Sequence, residues 1–437
     1  MRDASDRHQT LDLALQVGEL LLSNGAGAAD VTATMENIAR HAGLRQVDVD
    51  VTFTSLAVGH RAGPEEPVMV LNRRIVHRET DFADLTAVDH TVRAFLADQI
   101  DRDEAEAQIA RIASSGHPRP RWAITLGSGV TAAGVALLLG GTGIVLATAA
   151  VSGASIEILQ RRMDRLRLPS FYAQVAGGFL ATLFAVVLRA LEVPVSPSVV
   201  VTSCIVMLLA GLGFIGAIQD ALTGFYVTAN ARVLEVLIAT AGIIVGVAAG
   251  LAAGSAMGVE IYVVPGASGW AGLPQVAGGA AVAAAGFAFT AYSPKRVLAP
   301  IGLVGATAAS LAFWLSHHGV DRAATTGAAA VMIGLVSYRL SAWLRVPPLV
   351  VIVAGIVPLL PGLSIYRALS LLAADDVNGV IGLIAAATVA LSLAAGAIFG
   401  EYIAQPLWRE ARRVERRLAG PRLVGPLRRR SRRTPRE

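Results

Sequence analysis

The 437-residue sequence contains one cysteine, Cys204, and aromatic residues make up only 5% of it. A single cysteine excludes an intrachain disulfide and a cysteine zinc site. The HExxH, GxxxxGK[ST] and GxSxG motifs are also missing from the sequence. This argues against a zinc protease, a phosphate-loop ATPase and an α/β-hydrolase elbow. We therefore expect no cofactor, no metal and no catalytic residues.

Lysine is missing from residues 1–118, which carry 11 arginines against 19 acidic residues, a net charge of −8. Residues 119–437 carry 26 basic and 13 acidic residues, a net charge of +13. The overall charge of +5 thus combines an acidic N-terminal segment, called the head (residues 1–118), with a basic and very apolar remainder. The arginines of residues 119–437 are spread over short connections and the tail. Because no basic face interleaved with aromatic residues occurs, we expect no nucleic-acid binding.

The head is predicted to be a small α/β domain. Residues Val47 to Thr54 alternate apolar and polar side chains, which is typical of a half-buried strand. Asp30 is predicted to cap the second helix, and Asp101 with Glu104 forms a capping box for the last one. The predicted helices run from Thr10 to about Leu22, from Asp30 to Gly43, from Asp84 to about Leu96 and from Asp101 to Ala113, and the predicted strands cover 47–54, 55–61 and 68–77.

Residues 119–404 predict ten apolar helices, since a bilayer is crossed by roughly 20 apolar residues. The fold class predicted for the whole chain is therefore an α-helical polytopic membrane protein with an α/β cytoplasmic N-terminal domain. Two five-span repeats are predicted, at 119–256 and 257–404, followed by an Arg-rich cytoplasmic tail at 405–437. The ten predicted spans are 122–139, 142–159, 172–191, 198–218, 231–253, 274–292, 297–315, 323–341, 347–371 and 380–404.

The basic residues predict the orientation. With the head and tail inside, 23 of the 26 basic residues of 119–437 fall on the cytoplasmic side, as the positive-inside rule requires. We therefore expect a multi-pass protein of the cytoplasmic membrane with both termini in the cytoplasm. The first residues are charged, so no signal peptide is predicted.

The ninth predicted span is interrupted by Pro358, Pro361 and Gly362, and proline breaks a helix because it lacks a backbone N–H. When this span is shifted by 151 positions onto Pro197 to Ala217, ten of the twenty-one positions are identical. The earlier copy carries its own interruption at Gly211, Gly213 and Gly216. Repeats of five spans have opposite orientations. Paired interruptions in inverted repeats indicate the binding site of a secondary transporter.

Ionisable residues near the two breaks are the candidates for function, because charges inside a membrane are costly. Asp220 or Glu235 could carry a coupling proton, and Arg232 or Arg367 could hold a substrate carboxylate. Alternatively, Arg232 and Glu235 form an interfacial i, i+3 ion pair and Arg367 extends to the headgroups. The predicted substrate-binding residues are Gly211, Gly213, Gly216, Arg232, Pro358, Pro361, Gly362, Tyr366 and Arg367, and the predicted proton-coupling residues are Asp220 and Glu235.

Five segments carry a resemblance to a known family. They are GAGAADVTATMENIARHAGL (25–44), LNRRIVHRETDFADLTAVDHTV (71–92), DEAEAQIARI (103–112), the segment from GAIQDAL onwards (216–250) and VPPLVVIVAGIVPLLPGLSIYRAL (346–369). Over nearly its full length the chain resembles the threonine/serine exporter family, in the fused form that joins a cytoplasmic domain to ten spans. One departure is that LLPG, common in the first broken span of the family, reads Leu209, Ala210, Gly211 here.

The resemblance implies export of threonine and serine driven by the proton gradient. The implied partners are these amino acids, protons and the lipid bilayer, and a homo-oligomer stays open. One alternative is a dicarboxylate exporter of the same architecture. Others are a membrane-anchored hydrolase or a sensor acting through the head, although we see no catalytic constellation there.

Overall fold

The computed structural model describes residues 4–63, 65–75, 78–117, 119–193, 197–208, 211–259, 272–373 and 376–407. Some sequence predictions fall wholly or partly outside these residues. They are the tail beyond 407, the last two residues of the predicted strand 68–77, and Leu209 with Ala210 at the first break.

The described part of the head contains four helices and a three-stranded antiparallel sheet in the order β1-β2-β3. Val49 of β1 pairs with Val58 of β2, and Ala57 of β2 pairs with Asn72 of β3. Every predicted element of the head is present; the first helix begins at Ala4, six residues before the predicted start at Thr10, and the other bounds differ by up to three residues. The elements are α1 (Ala4–Ser23), α2 (Ala28–His41), β1 (Val47–Val51), β2 (Ser55–His60), β3 (Met69–Arg74), α3 (Phe82–Leu96) and α4 (Arg102–Ser114).

The helix caps were predicted with mixed success. The Asp101 carboxylate accepts the Glu104 N–H at 2.8 Å, as predicted. The predicted start of α3 at Asp84 is wrong, because Asp81 is the N-cap and accepts the N–H groups of Ala83 and Asp84.

The predicted cap of α2 is also wrong, because Gly27 is its N-cap and makes no side-chain hydrogen bond. The first-turn N–H of Ala28 is bonded by the Asp220 carboxylate, 192 residues away in the sequence. Since a tertiary partner satisfies this donor, the helix begins two residues before Asp30. The side chain of Asp30 is thereby left for other contacts.

The remainder of the described chain is helical. Eight helices are long and apolar enough to cross a membrane, and α14 with α15 adds a broken span bent by 44°. The helices are α5 (Arg121–Leu138), α6 (Gly143–Arg165), α7 (Ser170–Ala190), α8 (Pro197–Leu208), α9 (Gly211–Leu222), α10 (Tyr226–Ala256), α11 (Leu273–Thr290), α12 (Lys295–His317), α13 (Arg322–Leu344), α14 (Pro348–Ile356), α15 (Gly362–Ala373) and α16 (Asn378–Leu407).

The two interruptions differ in what the structure describes. Pro358 lies in a 3₁₀ turn, Val357–Leu359, and Leu360 and Pro361 separate this turn from α15, which begins at Gly362. The predicted fourth span is not among the eight long helices. It corresponds to the short apolar helix α8 and the separate helix α9, with residues 209–210 between them.

The same glycine contact recurs in two helix pairs. A Cβ on Gly178 of α7 would lie 2.9 Å from the Ile243 carbonyl of α10 and 3.3 Å from the Val247 nitrogen. In the second pair, a Cβ on Gly334 of α13 would meet the Ala397 carbonyl of α16 and lie 2.9 Å from the Glu401 nitrogen. Small residues at both crossings let the backbones approach closely, as in membrane helix packing.

Candidate functional site

A cavity of about 210 Å³ lies between the head and the apolar helices. It is smaller than pockets for drug-sized ligands, which start near about 300 Å³, so its size suits a small metabolite. Helix α9 contributes Gly213, Ile215, Gly216 and Gln219, helix α10 contributes Arg232 and Glu235, and helix α14 contributes Leu349 and Val353. The head contributes residues Leu22 to Gly25, Phe53, Arg78 to Thr80 and Phe82.

A buried ion pair stands at the wall of this cavity. Arg232 Nε lies 3.0 Å from Asp220 Oδ2, and the Asp220 side chain is 0% exposed. The second Asp220 oxygen accepts the Ala28 N–H at 2.8 Å, and Arg232 Nη2 donates to the Ala26 carbonyl at 3.0 Å. Both charges are therefore held by main-chain groups of the head, at the N-terminus of α2, where a carboxylate is favourable.

A second cation and anion face each other across the cavity. Arg78 of the head lies over the Phe53 ring, with its Cζ 3.2 Å from the ring centroid. Its Nη1 is 3.9 Å from Glu235 Oε2, a loose pair at the distance limit of an ion pair. Burial lowers the pKa of Arg78 to about 10, Glu235 opposes this shift, and Arg232 adds to it. Arg78 is thus a partly desolvated cation that a further anion would stabilise.

Several other hydrogen bonds join the head to the helix bundle. The Phe82 N–H donates to the Ala291 carbonyl at 2.9 Å, and the Thr228 hydroxyl donates to the Val51 carbonyl at 3.1 Å. His90 Nε2 lies 2.9 Å from the Arg345 carbonyl. These contacts join the head to α10 and to the connections before α12 and α14, so it covers one end of the bundle.

A smaller cavity of about 20 Å³ lies beside the first. It is lined by Asp30 of α2, by Glu401 and its neighbours on α16, and by residues of α9 and α14. Three residues, Ile215, Gln219 and Leu349, line both cavities. The two cavities therefore share a wall.

The structure brings together four of the predicted substrate and proton residues around the larger cavity, namely Gly213, Gly216, Arg232 and Glu235. Asp220 is bound to Arg232 behind them. The i, i+3 alternative fails for Arg232, because its partner is Asp220 and Glu235 faces Arg78 instead. Gly211 begins α9 beside the first break.

The predicted residues of the second break lie elsewhere. A Cβ on Gly362 would meet Val206 of α8, and Tyr366 is fully buried in a cluster with Cys204, Ile205 and Leu208. The Pro358 ring lies near Gly305 of α12. Pro361 directly precedes α15, and Arg367 on the same helix lies close enough to Arg322 to affect it electrostatically. Helix α15 thus packs on α8, away from the cavity that α9 and α14 line.

Sequence reasoning missed four charged residues at the two cavities: Arg78, Glu79, Asp30 and Glu401. The first three belong to the head, and their approach to the bundle depends on contacts far apart in the sequence. Glu401 could have been found, because a carboxylate at the end of a long apolar segment is itself a functional signal. No group of three or more His, Cys, Asp or Glu side chains that could hold a metal ion occurs within the described ranges.

Comparison with known proteins gives consistent matches over most of the chain. Residues 12–254 match the ThrE family model and residues 277–403 match the ThrE_2 model, both described as threonine/serine exporters. A "Probable threonine/serine exporter" of Mycobacterium tuberculosis is 34% identical over 415 residues, which cover 93% of this chain and 78% of that protein. The threonine/serine exporter of Corynebacterium glutamicum is 32% identical over 429 residues, which cover 94% of this chain and 86% of that protein. No solved structure gives a significant match.

Proposed function

The chain belongs to the threonine/serine exporter family, and from this premise we propose that it exports threonine and serine across the cytoplasmic membrane by proton antiport. Members of this family are transporters rather than enzymes. The long apolar helices are those of a multi-pass membrane protein. The observation that carries the proposal is the cavity between α9 and α14, with charges of both signs in its wall.

The charges at this cavity are complementary to a zwitterion. The substrate carboxylate binds between Arg78 and Arg232, since two guanidinium groups provide planar donors that suit a carboxylate. The ammonium group binds Glu235, which replaces its loose 3.9 Å contact with Arg78 by a contact with the substrate. Gln219, Asn24 and Thr80 provide hydrogen-bonding groups for the hydroxyl that threonine and serine share.

The proposed architecture is a pair of inverted repeats, at 119–256 and 257–404, joined to a cytoplasmic α/β head. The recurring glycine crossings of α7 with α10 and of α13 with α16 support it. The two family matches, 12–254 and 277–403, also divide the chain near this boundary. The head contacts Asp220, Ala291 and Arg345, which all lie at helix ends assigned to the cytoplasmic side.

The two breaks then divide the path into an inner and an outer half. Helices α9 and α14 line the cavity next to the head, while α8 and α15 pack on each other through Gly362 and Val206. We infer from this difference an alternating-access carrier whose outer half is closed in this arrangement. Tyr366, Pro361 and Arg367 then belong to the outer half, which opens when the carrier releases its substrate.

Asp220 and Glu235 are the proposed proton-coupling residues at the cavity itself. Antiport requires that proton and substrate occupy the site alternately: protonation of Glu235 removes the charge that binds the substrate ammonium group, and protonation of Asp220 releases Arg232 from its position beside the substrate carboxylate. Replacing Asp220 by Asn or Glu235 by Gln should abolish export while the protein stays in the membrane. Unchanged export from both variants would remove these residues from the mechanism.

Counterflow in liposomes tests the function. Purified protein is reconstituted, the vesicles are loaded with unlabelled threonine, and trace labelled threonine, serine or succinate is supplied outside. We expect uptake of threonine and serine but not of succinate. Uptake of succinate into succinate-loaded vesicles, without threonine exchange, would keep the architecture and overturn the substrate.

A further inference from the structure

The smaller cavity is lined by two carboxylates that the mechanism proposed above does not use, Asp30 of the head and Glu401 of α16. We propose that Asp30 and Glu401 form a shared carboxyl pair that binds the coupling proton beside the substrate cavity. The inference rests on the proposed function and adds a second proton site beside Asp220 and Glu235, the proton-coupling residues proposed above.

Glu401 is a buried carboxylate in apolar surroundings. It is only 7% exposed and lines the cavity with the apolar residues Ile352, Ala397 and Ile398. Its side chain makes no hydrogen bond or ion pair within the described part of the chain. An ionised carboxylate without a partner is very unfavourable in such surroundings. Glu401 therefore has a reason to carry a proton.

The chain contains an internal comparison for this position. The contact that Gly334 makes with Ala397 and Glu401 in the second half is made by Gly178 with Ile243 and Val247 in the first half. Val247 is 0% exposed and apolar. Because valine fills the equivalent place in the other helix pair, packing of these helices does not require a carboxylate at 401.

Asp30 approaches from the other side of the cavity. Its Oδ1 atom is buried and has no hydrogen-bond partner among the described residues. Burial raises the pKa of Asp30 well above its ordinary value, and the charges of Glu401 and Asp220 add to the shift. Two carboxylates this close favour the form in which one of them keeps a proton.

The cavity itself fits a proton and its water rather than a larger ligand. Its volume of about 20 Å³ is close to the minimum of about 10–15 Å³ that one water molecule needs. A water there could bridge the two carboxyl groups and exchange the proton with them. Gln219, on the shared wall, places this water next to the substrate cavity.

Few other charged groups lie near Asp30 and Glu401 within the described ranges. Asp220 on α9 is the third carboxylate near Asp30, and its charge is balanced by Arg232 on α10. Tyr402 follows Glu401 on α16 and is affected electrostatically by both acidic groups. No cation near Asp30 or Glu401 balances their charge among the described residues.

The variants Glu401→Gln and Asp30→Asn are made in the full chain. Two activities of each variant are measured separately: counterflow of threonine, and accumulation of threonine driven by a pH gradient. Counterflow of threonine at equal pH requires substrate binding and carrier movement but no net proton transfer. We expect both variants to keep counterflow. A gradient of about one pH unit can drive about tenfold accumulation for each proton exchanged. We expect this accumulation to fall to the level of empty vesicles in both variants.

Two matched controls accompany these variants. Glu36→Gln neutralises an exposed carboxylate on the same helix as Asp30, and Glu157→Gln neutralises a carboxylate on α6 that already pairs with Arg161 at 2.7 Å. Both should keep exchange and coupling. Size-exclusion profiles and reconstituted amounts show whether each variant is folded.

The outcomes that contradict the inference are distinct from a failure of the proposed function. pH-driven accumulation that survives in either variant overturns the pair as the proton site. Loss of counterflow in both folded variants also overturns it, because the residues then serve substrate transport or packing. Accumulation driven by a sodium gradient, and lost in Glu401→Gln, would assign the site to a metal cation instead. If the unaltered protein shows no counterflow of threonine, the proposed function itself fails.

Discussion

At the scale of single residues, the Asp220–Arg232 pair is the best-defined feature of the site. Asp220 is fully buried; one of its oxygens accepts the Ala28 N–H, and the other forms an ion pair with the Arg232 guanidinium at 3.0 Å. The pair lies at the wall of the larger cavity and at the start of α2 at the same time. Removing one charge leaves the other buried without a counter-ion, which destabilises the folded state more than removing both charges does.

A double-mutant cycle measures this effect. Asp220→Asn should lower the free energy of unfolding by about 3–5 kcal/mol, as found for breaking buried pairs, and so should Arg232→Gln. The double variant should lose less than the sum of the two. Chemical denaturation of the detergent-solubilised protein gives the three values. Strict additivity would mean that the two side chains do not interact.

Asp84 gives a prediction for the pH dependence of stability. Burial raises the pKa of Asp84 to about 6, the Asp81 charge adds to the shift, and His117 opposes it. The folded state therefore binds this proton more tightly than the unfolded state, where the ordinary value is 3.8. The contribution is most favourable below about pH 4 and is lost as the pH rises through about 6.

The Asp84→Asn variant isolates this contribution. Relative to the unaltered protein, it should gain thermal stability between pH 4 and pH 7, because the amide does not ionise. Melting temperatures measured in the same detergent at both pH values check the sign. An equal difference at the two pH values would show that Asp84 titrates alike in both states.

At the scale of elements, the first turn of α2 connects the head to the bundle. Gly27 allows this approach, since a Cβ there would lie 3.1 Å from the Gln219 amide nitrogen. Ala28 is the first helical residue, a position where proline is well tolerated. Gly27 is extended, with φ −70° and ψ 149°, which suits a residue before proline.

Ala28→Pro should therefore keep α2 intact and remove the N–H that Asp220 accepts. Hydrogen bonds to charged groups contribute about 1.5–3 kcal/mol, so hydrogen exchange in α9 should become faster by a measurable factor. Exchange followed by mass spectrometry over residues 211–222 tests this. Ala28→Ser keeps the N–H and is the matched control. Identical exchange in the two variants would show that the bond does not hold the head.

At the scale of the whole molecule, the proposed orientation predicts which residues a reagent outside the cell can reach. Cys204 is 0% exposed, so the unaltered chain should resist an impermeant maleimide. Glu36→Cys on the head should react only after permeabilisation, whereas His318→Cys at the end of α12 should react in intact cells. The reverse pattern would invert the topology and place the head outside.

The sequence predicted most of the fold, because the patterns involved are local. Alternation at Val47 to Thr54 located β1, and the capping box at Asp101 located α4. The break at Pro361 was located by the chemistry of proline alone. The cap of α2 was missed because its partner, Asp220, lies far along the chain.

Only some residues of the candidate site were predicted from the sequence. Gly216, Arg232 and Glu235 are near the first break, so local reasoning found them. Arg78 and Asp30 reach the cavities only when the head packs on the bundle, and no local pattern reports that contact. The repeat suggested a site between two breaks, but the described cavity is completed by a segment outside the repeats.

The two hydrogen bonds between the head and the Asp220–Arg232 pair limit what mutagenesis can detect. Both groups that the head offers are main-chain atoms, the Ala26 carbonyl and the Ala28 N–H. An alanine scan cannot test them, because alanine already occupies both positions. Other small residues at these positions keep both main-chain groups, whereas proline at position 28 removes the N–H. A connection between the two parts of the protein that consists of main-chain atoms therefore gives no signal in an alanine scan.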